Sequence, residues 1–374
     1  MKKLYAVLIV LLALIIIAVP SFANTSYPDL DVEVIADTDL VTSAIIQHQI
    51  LKRQCADPDA EVIGDTVFIT STYNALDRKM HVHSISLADF KSFAGNSSHW
   101  LLGQNIDWNI YTLDPGNGFQ NISMAPEIDY YDNELYFWMS AKQTTDDWHT
   151  IYYSQDGNNW EPINYVGSPY GYSDGDASSC GQACERRKMR IDSHLFNDNG
   201  TKWLFYTYFH EGNKIAGFKW EGPGSQTVPI DFVSSASASY SVNANGDNIM
   251  EAPTVFKRGS YYYLIWSEGS YLGAYHMRYR MATSVQGLAN SSTYILAYPK
   301  SVAWDSTNQQ YTASANIGHC STIEVDGNIW MFYHIGRPNS GSKIMEKPTP
   351  NIYRYCYVTK LNFHSNGKIV LLTW

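Results

Sequence analysis

The segment that decides the fold is Met250-Glu-Ala-Pro-Thr-Val-Phe-Lys-Arg-Gly-Ser-Tyr-Tyr-Tyr-Leu-Ile-Trp-Ser267. Its two runs of β-branched and aromatic residues are separated by a turn at Arg258 and Gly259, which predicts a β-hairpin. Pro253 lacks the N–H group that a strand ladder needs, so it belongs at the beginning of a strand or on an edge. Glu251 therefore lies where a strand begins, at the entrance of the hairpin.

The same pattern occurs four more times along the chain. A polar group, a short apolar strand, a turn of Gly, Asn or Asp and an aromatic return strand also begin at positions 57, 125, 192 and 319. Successive starts, with 251 included, are separated by 68, 67, 59 and 68 residues, which is long enough for four strands and their connections. Helical periodicity is nearly absent. Five such units predict an all-β fold, a five-bladed β-propeller.

The first residues are typical of a targeting segment. Lys2 and Lys3 precede an apolar run, and Ser21-Phe-Ala23 supplies small residues before a cut after Ala23. We expect a secretory signal peptide at residues 1–23 and a protein that is secreted, periplasmic or extracellular. An uncleaved anchor is the alternative, although the run is short for the ~20 residues that a membrane span needs. The repeats continue without a linker, so residues 24–374 are predicted to form a single domain.

The composition limits the partners that this protein can have. Lys and Arg number 26 against 36 Asp and Glu, a formal net charge of −10, which argues against nucleic acid and anionic membranes. We expect a monomer with no membrane association after signal cleavage. The 28 Tyr and 11 Trp residues suit strands, cores and stacking surfaces for sugars alike, so they favour a secreted all-β protein only weakly.

The five cysteines are an odd number for an exported chain. Cys180 and Cys184 lie in one polar loop, where we expect a local disulfide. Cys55 and Cys320 stand beside repeat starts, where burial as small hydrophobic residues is the default expectation. No pair has the spacing of a structural zinc site.

The longest irregular segment, residues 168–190, leads directly into Asp192. Connections of this length are usually functional or disordered, and we expect the rim of a cleft. The basic cluster at residues 186–188 is interpreted as a solvated surface. Elsewhere, residues 88–93 and 367–372 are predicted to be outer strands of the first and last units.

Five strings at the repeat starts carry a family resemblance. They are Ala56-Asp-Pro58, Ala125-Pro-Glu-Ile128, Arg190-Ile-Asp-Ser-His-Leu-Phe-Asn-Asp-Asn-Gly200, Glu251-Ala-Pro253 and Gly318-His-Cys-Ser321. In this order, over about residues 55 to 372, the chain resembles glycoside hydrolase family 43. The resemblance implies a five-bladed propeller whose innermost strands deliver three carboxylates to an axial pocket. It also implies an inverting glycosidase that acts on L-arabinofuranosides or β-D-xylosides of plant cell walls.

The matched motifs assign a role to each carboxylate. Asp57 would be the general base that activates water, Glu251 the general acid, and Asp192 the third acid that orients Glu251 and sets its pKa. Glycosidic cleavage requires one protonated and one ionised carboxyl group, and burial and neighbouring charge create that difference. The alternative is that Asp57 and Asp192 only cap local backbone amides.

Two further positions match the family less specifically. Glu127 resembles an acidic position that helps to hold sugar, but it could equally be a charge on a strand surface. His319 could bind substrate, water or a cation in the central channel, or it could be a buried histidine with satisfied partners. No cofactor is needed for the chemistry, and a structural calcium ion in the channel is compatible with the resemblance.

The chain departs from the family at two places and leaves two other functions open. Ser193 stands where the family usually has Pro, and Met124 stands where Trp is common, which could alter a sugar-stacking surface. An inactive propeller that only binds carbohydrate would keep the same blades. A sialidase-like glycosidase would need an arginine cluster and several Asp-box hairpins, whereas the chain has one degenerate box at residues 154–160.

Overall fold

Three four-stranded antiparallel sheets and one eight-stranded sheet, in which a short parallel pairing joins two blades, make up most of the described structure. The computed structural model describes residues 48–49, 56–72, 81–94, 104–106, 121–142, 148–155, 160–161, 186, 189–222, 227–242, 247–306, 310–338 and 352–372. All of them belong to one unit, residues 43–374. Among these residues, no helix is long and apolar enough to cross a membrane.

The strands follow one another around the sheets in chain order. In the first two blades they are β2 (Ala56–Ile63), β3 (Thr66–Thr72), β4 (His81–Ser86), β5 (Gln104–Ile106), β6 (Asn121–Tyr131), β7 (Glu134–Lys142), β8 (Trp148–Gln155) and β9 (Trp160–Glu161). In the third and fourth they are β10 (Ile191–Asp198), β11 (Thr201–Phe209), β12 (Gly212–Lys219), β13 (Ile230–Val233), β14 (Asn248–Arg258), β15 (Tyr261–Glu268), β16 (His276–Ala282) and β17 (Thr293–Ala297). Two 3₁₀ helices, Ser239–Ser241 and Gln286–Asn290, lie in connections.

The last blade combines the two ends of the described chain. It contains β20 (Asn316–Val325), β21 (Asn328–Pro338) and β22 (Ile352–Lys360), and its fourth strand is β1 (His48–Gln49), which pairs with β22. A separate hairpin, β18 (Ala303–Asp305) with β19 (Gln310–Thr312), precedes this blade. The innermost strands β2, β6, β10, β14 and β20 contact one another in order, and β20 contacts β2. The predicted five-bladed propeller is confirmed.

The expected strand at residues 88–93 is wrong, because this segment is the helix α1 (Leu87–Ala94). Ser86 and Asp89 cap its first turn: the Asp89 N–H donates to Ser86 Oγ at 3.1 Å, and Ser86 Oγ donates to Asp89 Oδ2 at 2.7 Å. Phe90 is fully buried and stacks on Phe332 of the last blade, with ring centroids 6.0 Å apart. The capping pair and this packing outweigh the strand pattern.

The expected closing strand at residues 367–372 is also wrong. The fourth position of the last blade belongs to β1, and the tail turns toward the fourth blade instead. Leu372 pairs in parallel with Ala297, and its N–H donates to the Leu296 carbonyl at 2.9 Å. Leu372 and Ile369 are buried in the apolar core that the fourth and fifth blades share.

Three other expectations concern the cysteines, the signal segment and the basic cluster at residues 186–188. Cys320 is buried and free, so the expectation for Cys320 is confirmed, and Cys356 is buried as well. The signal segment at residues 1–23, Cys55, Cys180, Cys184 and most of the 168–190 segment lie outside the described residues. Arg186 pairs with Asp231 at 2.8 Å and is half-buried, so a purely solvated cluster is wrong for this residue.

Candidate active site

The candidate site is built from a backbone feature that recurs once in every blade. In each innermost strand one non-glycine residue adopts a left-handed conformation, with φ between 46° and 57°: Asp57, Ala125, Asp192, Ala252 and His319. The strand register shifts at each of these points, which marks a β-bulge. Such conformations are costly for residues with a side chain and concentrate at functional sites. Four of these five residues, Ala125, Asp192, Ala252 and His319, line one cavity between the innermost strands.

The fourth blade corrects one detail of the predicted repeat. Its left-handed residue is Ala252 rather than Glu251, so the matched positions are separated by 68, 67, 60 and 67 residues. Glu251 stands one position earlier and pairs with Ser267. Asp57 and Asp192 are themselves the left-handed residues of their bulges, whereas Glu251, the general-acid candidate, directly precedes the left-handed residue of its bulge.

Side chains cap the amide of each left-handed residue. In four blades the acceptor comes from the second strand of the preceding blade. The donors and acceptors are Ala125 N and Thr72 Oγ1 (2.7 Å), Asp192 N and Ser140 Oγ (3.1 Å), His319 N and Ser267 Oγ (2.8 Å), and Asp57 N and His334 Nδ1 (3.2 Å). Neighbouring blades therefore position one another's site residues.

The remaining amide, that of Ala252, donates to Asp192 Oδ2 at 3.2 Å. Thr207 holds the position equivalent to the other caps, and its buried Oγ1 has no partner among the described residues. Asp192 does cap a backbone amide, as the alternative interpretation proposed. However, the amide belongs to the next blade and lies directly after Glu251, so the cap brings the two carboxyl groups together.

Asp57 is buried among cationic and imidazole groups. Arg354 Nη1 lies 2.8 Å from its Oδ1, and the Nδ1 atoms of His319 and His334 lie 3.3 and 3.4 Å from the same oxygen. Burial alone would raise the pKa of Asp57, but Arg354, His319 and His334 together hold it well below its usual range. Asp57 is therefore ionised. Burial lowers the pKa of His319 to about 4, so its ring is neutral above that pH.

Glu251 has the opposite electrostatic setting. Burial raises its pKa to about 7, although hydrogen bonds from Tyr275 and Asn213 stabilise the carboxylate. Asn213 Nδ2 donates to Glu251 Oε2 at 2.8 Å. Burial, and then the charges of Glu251 and Asp57, raise the pKa of Asp192 well above its usual range. The adjacent acids Asp192 and Glu251 therefore resist double ionisation and retain a proton near neutral pH.

Asn213 and Tyr275 reach Glu251 because two glycines allow close packing. Gly212 pairs with Asn248 across the third and fourth blades, and a Cβ on Gly212 would lie 1.7 Å from the Asn248 carbonyl oxygen. The buried Tyr275 ring packs against Gly318, where a Cβ would lie 2.1 Å from the ring. The glycine of the Gly318-His319 motif therefore makes room for the tyrosine that contacts the acid.

A small, partly open cavity lies along the axis, and all five innermost strands line it. Asp59, Glu127 and His194 line this cavity. Each of them stands two positions after the left-handed residue of its strand. Glu127 Oε1 lies 2.5 Å from His194 Nδ1 and accepts the Leu195 N–H at 3.2 Å, while its buried Oε2 has no partner among the described residues. Glu127 is thus placed one step along the channel from the Asp57 level, and its contact with sugar stays a prediction.

A cluster of acids surrounds this second level of the channel. Burial raises the pKa of Asp59 to about 6, and burial and neighbouring acids raise the pKa values of Glu127 and Asp129 well above their usual range. Among the described residues, no group of three or more His, Cys, Asp or Glu side chains could hold a metal ion. Burial and mutual repulsion therefore favour the protonated forms of Glu127 and Asp129.

Four of the site residues were missed from the sequence. Arg354 and Tyr275 lie in aromatic runs and Asn213 in a short strand, with no local motif around them. Tyr271 is 43% exposed, and its ring lies 5.0 Å from the Arg354 guanidinium. The Asn316 side-chain amide donates to the Tyr271 and Gly273 carbonyls at 2.7 and 3.1 Å, which fixes the turn that carries this ring. The one signal for Arg354 was a single cation within the aromatic strand 353–357.

Solved structures with the same fold cover most of the chain. An α-L-arabinofuranosidase from Lactobacillus brevis is 14% identical, with a TM-score of 0.59 over 86% of this chain and 96% of that one. An exo-1,5-α-L-arabinanase from a bovine ruminal metagenomic library is 17% identical, with a TM-score of 0.56 over 86% and 97%. A xylan β-1,4-xylosidase from Bacillus halodurans is 18% identical, with a TM-score of 0.54 over 87% and 56%. At these identities the likeness establishes the fold alone.

A search of curated protein sequences finds no match. The model of the family described as Glycosyl hydrolases family 43 matches residues 46–369, which is most of the chain. The matched region contains all five innermost strands and the Asp57, Asp192 and Glu251 carboxyl groups. The protein therefore belongs to glycosyl hydrolase family 43 and is a glycosidase.

Proposed function

We propose that the protein is an inverting glycosidase that releases arabinose or xylose from plant cell-wall polysaccharides or oligosaccharides. The observation that carries this proposal is the contrast between Asp57, whose pKa lies well below its usual range, and Glu251, whose pKa is about 7. Asp57 is therefore ionised at a pH at which Glu251 still retains its proton, as glycosidic hydrolysis requires. The pentose preference is supported by the arabinofuranosidase, arabinanase and xylosidase among the similar structures.

In the proposed reaction Glu251 donates its proton to the glycosidic oxygen as the bond to the anomeric carbon breaks. A water molecule attacks that carbon from the opposite side and transfers a proton to Asp57, so the product sugar has the inverted configuration. The contacts of Asp57 with Arg354, His319 and His334 go to Oδ1. We therefore assign Asp57 Oδ2 to the water. Exchange with solvent returns both carboxyl groups to their starting states.

Asp192 acts as a positioning residue for the acid. Its carboxyl group accepts the amide directly after Glu251, and the charge of Glu251 raises the pKa of Asp192, so the two acids share one proton. Arg354 keeps Asp57 ionised and fixes its orientation. The neutral ring of His319, which lines the axial cavity, is placed to hold a sugar hydroxyl or a water molecule.

A calcium ion in the channel is a separate part of the proposal. The described side chains alone do not fit this ion: His319 would supply one ring nitrogen and Glu127 Oε2 one oxygen, and water would have to supply the other ligands, since no group of three or more His, Cys, Asp or Glu side chains among the described residues could hold a metal ion. When bound, the ion would supply positive charge near the carboxyl groups. We also propose export, based on residues 1–23, and action as a monomer.

The direct test is hydrolysis of nitrophenyl α-L-arabinofuranoside, nitrophenyl β-D-xyloside and linear arabinan by the full chain. The matched control is Glu251→Gln, which keeps the shape of the acid but has no transferable proton. Release of pentose from at least one substrate, with a large decrease in the variant on the polymer, supports the proposal. Binding of arabinan or xylan without hydrolysis would instead identify an inactive carbohydrate-binding propeller.

A further inference from the structure

A buried carboxylate that the proposed reaction does not use lies at the end of β15. Glu268 is fully buried, and its backbone pairs with Met250 and His276. These two partners directly precede Glu251 and directly follow Tyr275 in the sequence. A buried charge needs partners that compensate for the lost water, so the partners of Glu268 indicate what it holds in place.

Glu268 holds part of the connection between β13 and β14. The Ser237 N–H donates to Glu268 Oε2 at 3.1 Å, and Ser241 Oγ donates to the same oxygen at 2.9 Å. Ser241 is fully buried at the end of its short 3₁₀ helix. Segment 236–242 is therefore fixed to the fourth blade through one carboxylate.

The fourth blade supplies the cationic and imidazole partners of this carboxylate. His276 Nε2 and Arg278 Nε each lie 3.6 Å from Glu268 Oε2, and Trp266 Nε1 donates to Glu268 Oε1 at 3.0 Å. Burial alone would raise the pKa of Glu268, but His276, Arg278 and the Ser237 amide lower it to about 2. Glu268 is therefore ionised at neutral pH and joins segment 236–242 to the strands of its own blade.

Segment 236–242 also supports the first hydrogen-bond donor of the general acid, Asn213. The Ala236 N–H donates to Asn248 Oδ1 at 3.3 Å. Asn248 pairs in parallel with Gly212, and the next residue, Asn213, donates to Glu251 Oε2. The segment thus contacts the residue of β14 whose pairing brings Asn213 to the acid.

The second donor, Tyr275, is supported from the same segment. The Tyr240 ring packs against the His276 ring, with centroids 4.8 Å apart. His276 Nδ1 lies 3.0 Å from the Ala274 carbonyl oxygen, and it donates because a carbonyl oxygen can only accept. Tyr275 lies between Ala274 and His276, so both of its neighbours in the chain are fixed where its side chain donates to Glu251.

We propose that Glu268 is a positioning residue for the general acid: it fixes segment 236–242 to the fourth blade and thereby holds Asn213 and Tyr275 against Glu251. Glu268 acts through these neighbours and not on the substrate itself. This inference rests on the proposed function, in which Glu251 is the acid, and adds a further residue to that reaction.

The test is Glu268→Gln, which keeps the size of the side chain but removes the charge beside His276 and Arg278. We expect kcat/KM on arabinan or xylan to fall at least about tenfold, because small displacements of catalytic groups are costly. Burial raises the pKa of Glu251, and its two hydrogen bonds oppose that rise. Weaker hydrogen bonds should therefore move the alkaline limb of kcat/KM to higher pH. The titratable and charged groups that act on Glu251 are unchanged in this variant: Asp57, Asp192, Tyr275 and Arg354.

A milder variant and a control separate positioning from general stability. Ser241→Ala removes one donor and keeps the carboxylate, so it should move the limb in the same direction by a smaller amount, and it decides the matter if Glu268→Gln does not fold. Asp198→Asn is the control. Asp198 contacts Lys257 and Tyr262 between the same two blades, six residues beyond Asp192 on β10. Its loss should lower the melting temperature without moving the limb.

A readout that does not depend on activity is the ¹³C NMR titration of the Glu251 carboxyl carbon, identified by its absence in Glu251→Gln. The carbon should titrate at higher pH in Glu268→Gln and Ser241→Ala than in the wild type. If the wild type hydrolyses no pentoside, the proposed function fails, while this titration still tests the positioning role. A lower melting temperature with an unchanged limb and an unchanged titration would make Glu268 purely structural and overturn the inference, as would a shift of both to lower pH.

Discussion

The ring of Tyr275 lies parallel to the ring of His334, with an interplanar angle of 9° and centroids 5.8 Å apart. Tyr275 donates to the Glu251 carboxyl group, and His334 accepts the Asp57 amide. Glu251 and Asp57, the proposed acid and base, are therefore held by one pair of stacked rings, one from the fourth blade and one from the fifth. Their separation depends on this stack as well as on the strands that carry them.

The hydrogen bond from the Tyr275 hydroxyl to Glu251 predicts a specific change in the pH profile of Tyr275→Phe. Activity should fall as pH rises through about 7, because the Asp192–Glu251 pair then loses the transferable proton. The tyrosine hydroxyl stabilises the carboxylate and lowers its pKa, so its removal should move the alkaline limb of kcat/KM to higher pH. Tyr262→Phe removes a hydroxyl bonded to Asp198 and is the control. A profile that keeps the wild-type limb would contradict the contact.

Gly318→Ala should displace the Tyr275 ring, since the new Cβ would lie 2.1 Å from it. We expect destabilisation of about 1–3 kcal/mol from overpacking, together with at least a tenfold decrease in kcat. Gly327→Ala places a methyl group in open space at a φ of 73°, so it should lower the melting temperature without changing kcat. Thermal melts and steady-state kinetics on the same preparations separate the two effects.

Glu251→Gln and Asp57→Asn should differ in their dependence on the leaving group. Loss of the acid should lower kcat/KM at least about 10²-fold for polysaccharide and less for nitrophenyl glycosides, which depart without protonation. Loss of the base should affect every substrate, because water activation is needed in all cases. Small and equal effects of both variants on both substrate classes would refute these roles.

The stereochemical prediction is inversion. The Asp57 and Glu251 carboxyl groups should then stand roughly 6.5–9.5 Å apart, with room for water, rather than the about 5–5.5 Å of a retaining pair. Proton NMR during hydrolysis identifies the anomer that forms first. A first product with the configuration of the substrate would make Asp57, or another acid, a nucleophile.

The buried acids of the channel predict that stability decreases with pH. Burial and neighbouring acids raise the pKa of Asp129, whereas in the unfolded chain an Asp ionises near about 3.9. Between these two values the folded protein keeps a proton that the unfolded chain has released, so the free energy of unfolding falls as pH rises. Asp129→Asn cannot ionise and should reduce the decrease in melting temperature between pH 5 and 8 by at least about 3 °C. Asp65→Asn, in an exposed turn, should leave that decrease unchanged.

The blades and the three carboxylates could be predicted because their signals are local. Asp57 and Glu251 stand one and two residues before Pro58 and Pro253, and Asp192 begins a strand that ends in an Asn-Asp-Asn-Gly turn. The helix α1 also had a local signal, the Ser86 and Asp89 capping pair, which the apolar pattern obscured. The sequence did not reveal that Ala252, rather than Glu251, takes the left-handed position, because the bulge depends on pairing with β15.

The supporting residues could not be predicted because they are distant in sequence. Arg354 and Asp57 are 297 residues apart, and no motif joins them. Asn213 reaches Glu251 only because Gly212 lets β12 approach β14. The strand β1 completes the last blade, although residues 367–372 have a stronger strand pattern. Tertiary packing decides each of these cases.

The amide cap of Asp57 has a consequence for how activity arises. Its acceptor, His334, is 277 residues further along the chain. Contacts between such distant segments tend to form late and slowly in folding, because the entropic cost of closing a long loop comes before the contact can stabilise the chain. A growing chain can bring Glu251 and Asp192 together before His334 is available to accept the amide of Asp57. We therefore expect hydrolytic competence to appear late in refolding, when the first and last blades meet, and product release during refolding to report that step.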